Sequence, residues 1–224
     1  MKIEILYRPA HTVAQVLLEA GESVTAESGA MISTSGNVSM TTESGGFKQG
    51  LKRLLGGESF FRNTFTAADT EGELLLAPAL CGDMAIVEVD ERDWFLASST
   101  YVGGSPSVQI DSKLSGFSGF FSGAGIVILR ASGSGQVILG SFGAMECLEI
   151  DGELIIDTGH LVAWEDTPTL KYSVSKSSSG WISSFLSGEG LVCRFSGQGK
   201  VWVQTRNPSE YGSLIGRLLP PRKS

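Results

Sequence analysis

The stretch FLSGEGLVCRFSGQGKVWVQ at residues 185–204 restates FFSGAGIVILRASGSGQVILG, which lies about 65 residues earlier. Setting residues 186–191 on residues 121–126 brings out a third copy at residues 55–60, with central glycines at 57, 123 and 188. An internal period constrains a fold more tightly than composition does. Each copy must form the same supersecondary unit, and a unit this small buries its apolar face only against a neighbour.

The upstream halves also match. VLLEAGESVTAESGAM, AIVEVDERDWFLASSTY and ECLEIDGELIIDTGHL each read as strand, turn, strand and a small-residue corner. Glu19, Glu88 and Glu149 are aligned, as are Ser28-Gly29, Ser98-Ser99 and Thr158-Gly159. Downstream of each glycine phrase comes a β-rich run, then a turn at Gly72, at Gly133 with Gly135, or at Gly197 with Gly199, and then an apolar strand. GKVWVQT sets Val201 and Val203 against Trp202 and Gln204, the period of two expected of a sheet with unlike faces. GIVILR and ELLLAP are unbroken apolar runs, expected to be buried on both sides. Asp151-Gly152 signals a hairpin turn.

The predicted architecture is all-β. Three β-rich subdomains surround a pseudo-threefold axis, and a short C-terminal helix follows. Residues 1–82 form the first repeat with an N-terminal strand, 83–144 the second, 145–206 the third, and 207–224 the helix and tail, all one compact unit. Asn207 is the expected cap and Pro208 the first turn of the helix, with Tyr211, Leu214, Ile215 and Leu218 on one face.

Composition narrows function by exclusion. The chain carries 17 Lys and Arg against 24 Asp and Glu, a net charge of −7 that opposes binding to a phosphate backbone. Cys81, Cys147 and Cys193 are widely spaced, without the pairing of a thiolate metal knuckle or a disulfide framework, and fit a reducing compartment. His11 and His160 are too few for a histidine-rich metal centre. No apolar run reaches the roughly 20 residues that span a bilayer. The N-terminus alternates like a strand and lacks a signal-peptide core. No cofactor is expected. The expected location is the cytoplasm, with a peripheral place at the inner face of the membrane as an option.

GLVCRFSGQGKVWVQTRNP, IDTGHLVAWE, GFSGFFSG and LLGGESFFRNTF resemble an uncharacterised bacterial and archaeal family related to the yeast altered-inheritance-of-mitochondria protein. The resemblance covers essentially the whole chain. It implies a fold like the tryptophan RNA-binding attenuation protein, of the double-stranded β-helix or sandwich type, with three β subdomains. It implies no reaction.

Two groups of residues are candidates for function. Before each glycine phrase, bulky side chains stand among glycines and serines: Phe47, Lys48, Leu51, Lys52 and Arg53; Phe117, Phe120 and Phe121; Trp181 and Phe185. If the units share an axis, these loops emerge on one face and form an apolar patch with a basic edge, suited to a membrane surface or a protein partner. The competing expectation is that they turn inward and plug the β units. The second group is His160 with Glu165 and Asp166, an alternative ligand or enzymatic site between subdomains. Asp157-Thr158-Gly159 matches an aspartic-protease core, but it occurs once and coincides with the corner found in every repeat, so it reads as a β corner. Cys193 and Cys147 read as small buried hydrophobes. The leading expectation is a non-enzymatic scaffold or adaptor, with self-association through sheet edges and the helix as a compatible property.

Overall fold

The structure is a computed structural model that describes residues 1–43, 62–90, 92–111, 127–176 and 191–220. Its described residues form strands in three sheets and one α-helix. The first unit follows β1 (Lys2–Leu6) and holds β2 (Val13–Leu18), β3 (Ser23–Glu27), β4 (Met31–Thr34), β5 (Val38–Glu43), β6 (Arg62–Ala67) and β7 (Gly72–Leu76). The second holds β8 (Met84–Val89), β9 (Asp93–Ala97), β10 (Tyr101–Gly104), β11 (Val108–Asp111), β12 (Ile128–Gly133) and β13 (Gly135–Gly140). In the third, six strands are written as four: β14 (Met145–Asp157), β15 (Leu161–Asp166), β16 (Leu170–Lys176) and β17 (Leu191–Gln204). The helix α1 (Pro208–Leu218) follows.

We letter the strands of a unit a to f in chain order. The a and b strands of the third unit are the two halves of β14, and its e and f strands the two halves of β17. The pairing rules are then the same in every unit: a with f, c with f, b with e, and d with e. The c strand enters against f with a register shift at the same place each time, between Met31 and Ser33, Tyr101 and Gly103, and Leu161 and Ala163. A bulge repeated three times is a designed feature, since it turns the strand away from f.

Units are joined by strand exchange. The b strand of one unit pairs with the c strand of the next: β3 with β10, and β9 with β15. Each complete sheet therefore takes d, e and b from one unit and c, f and a from the following one. The apolar clusters follow the same rule. The first-unit core of Val16, Phe65 and Leu74 includes Met84, Val102 and Ile138 of the second unit. The second-unit core of Trp94, Leu96 and Leu129 includes Val162 and Ala163 of the third. The breaks at 82/83, 144/145 and 206/207 fall between elements, but each unit completes its core with its neighbour's strands. Around a closed axis a third joint, from the b half of β14 to β4, would also be made; among the described residues it is not.

Three local readings change. Asp151-Gly152 is not a hairpin turn: β14 runs through it, with Gly152 facing Gly197 across the ladder. Both glycines have positive φ, +120° and +103°, so the two strands bend together without breaking their pairing. The ELLLAP run is not buried on both sides. Leu74 and Leu76 are buried while Glu73 between the turn and the core faces solvent, because this sheet is covered on one face. In the register of the a strands, Leu17, Glu88 and Glu149 correspond, and Glu19 falls in a turn that is longer in the first unit.

Candidate functional site

His160 and Glu165 stand at opposite ends of β15, which a strand rise of about 3.3 Å per residue places some 16 Å apart. His160 closes the short 3₁₀ turn Thr158–His160, and its Nδ1–H donates to the carbonyl of Gln204 at 2.7 Å. Gln204, itself buried, donates to the Gly159 carbonyl at 3.0 Å and accepts from the Phe142 amide at 2.8 Å. Asp157 caps the same turn by accepting from the Gly159 amide at 2.8 Å. This is the corner of the third unit, and its polar groups are engaged in making it.

Glu165 is 3% exposed. Its Oε1 accepts from Arg92 at 2.8 Å, and its Oε2 accepts from the Lys200 amide at 2.9 Å. The second bond occurs in all three units. Ser35 accepts from the Glu73 amide at 2.9 Å, and Ser105 accepts from the Gln136 amide at 2.9 Å. Each latch fastens the end of a c strand, at Glu165 or at the residue just after it, Ser35 and Ser105, to an amide near the start of the f segment. Glu165 is thus the charged version of a serine latch, neutralised by an arginine of the neighbouring unit. Asp166 is held across the joint by Arg130 at 3.0 Å, and the same guanidinium reaches Asp93 of its own unit at 2.7 Å. The three residues read together from sequence belong to three arrangements: the corner, the latch and the ion pair on Arg130.

Glu165 also lines a groove of about 420 Å³ at the junction of the second and third units, with Trp94, Trp202, Cys147, Lys200 and Arg92 among its walls. Sequence reasoning did not single out this groove. Its signal was the outward face of the strand GKVWVQT, where Lys200 and Trp202 alternate with the buried Val201. The acids of the groove are already engaged. Glu88 accepts from Gln136 at 2.7 Å and Asp90 from Ser134 at 2.7 Å. Burial raises the Cys147 thiol, with Lys200 opposing more weakly, so the thiolate is not the resting form at neutral pH. Cys147 is half-buried in this wall, not a core residue as expected; Cys193 is fully buried. Trp94 is itself 6% exposed and packed in the core, so the open indole of the groove is that of Trp202, beside Lys200. Among the described residues no cluster of His, Cys, Asp and Glu could hold a metal ion.

The loop residues Phe47, Lys48, Leu51, Lys52, Arg53, Phe117, Phe120, Phe121, Trp181 and Phe185 lie outside the described residues. The strands that carry these loops end at equivalent d–e hairpins: β5 with β6, β11 with β12, and β16 with β17.

The helix α1 forms as its sequence predicts. Asn207 accepts from the amides of Ser209 at 3.0 Å and Glu210 at 3.4 Å, and Pro208 opens the first turn. Its apolar face is open: Tyr211 is 46% exposed, Leu214 56% and Leu218 75%. Tyr211 alone finds an aromatic neighbour, Phe142, at a ring distance of 5.1 Å. No helix among the described residues is long and apolar enough to cross a membrane.

Known proteins share this sequence and this fold. An uncharacterised protein of Streptococcus pyogenes serotype M6 is 29% identical over 219 residues, spanning 93% of this chain and 87% of that one. A crystal structure of a Streptococcus pyogenes protein superposes with a TM-score of 0.77 at 26% identity, covering 97% of this chain and 99% of the other. The family model described as mitochondrial biogenesis AIM24 matches residues 3–206, all three units from β1 to the last turn before the helix. The chain belongs to the mitochondrial biogenesis AIM24 family.

Proposed function

We propose that the protein is a non-enzymatic scaffold or adaptor that docks on a protein partner through exposed apolar surface. The observation that carries this reading is α1, an ordered, capped helix whose leucines face solvent. A helix that lies on a membrane carries many Lys and Arg on its polar face. Here that face has Glu210 and Arg217, on a chain of net charge −7, so the charge pattern favours a protein over an anionic bilayer. The aromatic loops before the glycine phrases fit the same role, and the free thiols of Cys81, Cys147 and Cys193 fit a cytoplasmic setting.

A photo-crosslinking residue at Leu218, compared with one at the exposed Lys2, tests the reading. Adducts specific to Leu218 and lost when Leu214 is changed to Ser support docking through α1. Equal labelling at both positions, with the protein folded, contradicts it. Flotation with anionic vesicles provides the membrane control.

A second reading, small-molecule binding between subdomains, is favoured by the groove of Trp94 and Trp202. Its volume falls within the range of small-ligand sites, although His160 is not in its wall. Quenching of tryptophan fluorescence by a ligand, abolished by Trp202→Ala, supports this reading; a response that survives the substitution removes it.

A further inference from the structure

The joints between units define a b edge and a c edge, and the molecule has one of each left over. The unjoined b edge is the second half of β14, residues 153–157. The unjoined c edge is β4. Among the described residues neither has a partner on its outer side. Burial registers the difference. Tyr101 and Val102 in β10 are each 1% exposed, and Leu161 and Val162 in β15 are 2% and 0%. Their counterparts Met31 and Ile32 in β4 are 42% and 53% exposed. On the b side, Phe95 is 5% exposed and its counterpart Ile155 is 37%.

We propose that these two edges are the two halves of a third joint, made between chains: β4 of one molecule pairs with the second half of β14 of another copy. The two internal joints fix the register. Gly103 faces Ala26 and Gly104 faces Thr25 in one; Ala163 faces Leu96 and Trp164 faces Phe95 in the other. Both translate to the same pairing at the ends, Ser33 opposite Ile156 and Thr34 opposite Ile155. The ion pair that flanks the second joint is also repeated. Arg130 holds Asp93, and its counterpart Arg194 holds Glu153 at 3.4 Å beside the free b edge.

Such pairing joins β16, β17 and β14 of one copy to the four-stranded sheet of another, and covers the exposed Met31, Ile32 and Ile155 at each joint. An open sheet edge bearing apolar residues is otherwise an aggregation hazard, usually blunted by charge, proline or a covering element. The contact is head-to-tail, so a pair of copies still has one free edge of each kind, and assembly closes into a ring or grows into a chain. This surface is distinct from α1, so the two proposals stand or fall separately.

Light scattering across protein concentration, with the variants Ile32→Lys and Ile155→Lys, tests the inference. Both positions are exposed in the single chain, so each variant keeps the fold, as thermal unfolding will verify. The wild type is expected to rise to at least twice the monomer mass, and each variant alone to remain a monomer. An equimolar mixture of the two is expected to stop at the dimer, because one intact b edge and one intact c edge remain. A wild type that stays monomeric, or a mixture that does not pair, overturns the proposal. A second measurement covers closure within one chain. With Cys81 changed to Ser, Ser33→Cys and Ile156→Cys on the same molecule are expected to oxidise to chain-to-chain disulfides. A disulfide within a single chain overturns the inference.

Discussion

The two internal joints use one backbone scheme with opposite side-chain solutions. Between the first and second units, Gly103 and Gly104 lie against Ala26 and Thr25, and Thr25 Oγ donates to the Gly104 carbonyl at 3.0 Å. A Cβ on Gly103 would lie 2.7 Å from the Thr25 carbonyl oxygen of β3, so the two strands of this joint meet at a distance that suits only glycine. Between the second and third units, Trp164 opposes Phe95 and Glu165 opposes Trp94. Trp164 packs on Phe95, Tyr172 and Phe195 at ring distances of 5.5, 5.3 and 5.8 Å. The register is the same in both. What specifies a joint is therefore the bulge that frees the c strand from f and the latch that fastens the end of that strand, both present three times. Side chains decide how strongly it holds.

The largest expected effect is at the aromatic joint. Trp164→Ala removes a fully buried ring, and urea unfolding should show a loss of about 3–5 kcal/mol. Gly103→Ala at the glycine joint should cost about 1–3 kcal/mol by overpacking, since the obstacle, the Thr25 carbonyl, is backbone and cannot swing away. A cost near zero there would mean that the first joint is loose. Arg92→Ala leaves Glu165 buried with its charge uncompensated and should cost about 1 kcal/mol, Arg92 being half exposed and screened. Adding Glu165→Ser recreates the latch of the other units. The double variant should be more stable than Arg92→Ala alone, a non-additivity that a denaturation cycle measures directly.

The smallest effect at neutral pH concerns the thiols. Burial pushes Cys193 up to about 12 from its ordinary 9.0, so the unfolded chain gives up this proton first. Its contribution is complete below pH 9 and is lost as pH rises from 9 towards 12, by about 1.4 kcal/mol per pH unit. Burial raises Tyr101 and Tyr172 too, steepening the decline above their ordinary 10.0. Cys193→Ala should flatten the slope between pH 9 and 10. In the folded protein a thiol reagent should modify the exposed Cys81 first and Cys193 only on unfolding.

The strands, the triplication and the capped helix were legible because each is a local pattern: alternation, a repeated phrase, Asn-Pro before an amphipathic run. The exchange of c strands was not. Hydrophobic periodicity says which face of Val102 or Val162 is buried, and nothing about whose strand lies beside it. The fused strands β14 and β17 were hidden for a related reason, since Gly152 and Gly197 each signal a turn alone and make a shared bend only when they face each other. Residues close in sequence misled at His160 and Glu165, because an extended strand carries neighbours apart. The groove of Trp94, Trp202 and Cys147 draws on residues more than 50 positions apart, beyond the reach of any spacing rule.

Amide hydrogen exchange at a protein concentration low enough to keep the chain monomeric tests most directly whether the units are welded by exchanged strands. Peptides covering β10 and β15 should remain protected to the limit of global unfolding, while the equivalent amides of β4 exchange much sooner. Deuterium entering β10 and β15 as fast as it enters β4, in the folded protein, would contradict the joints.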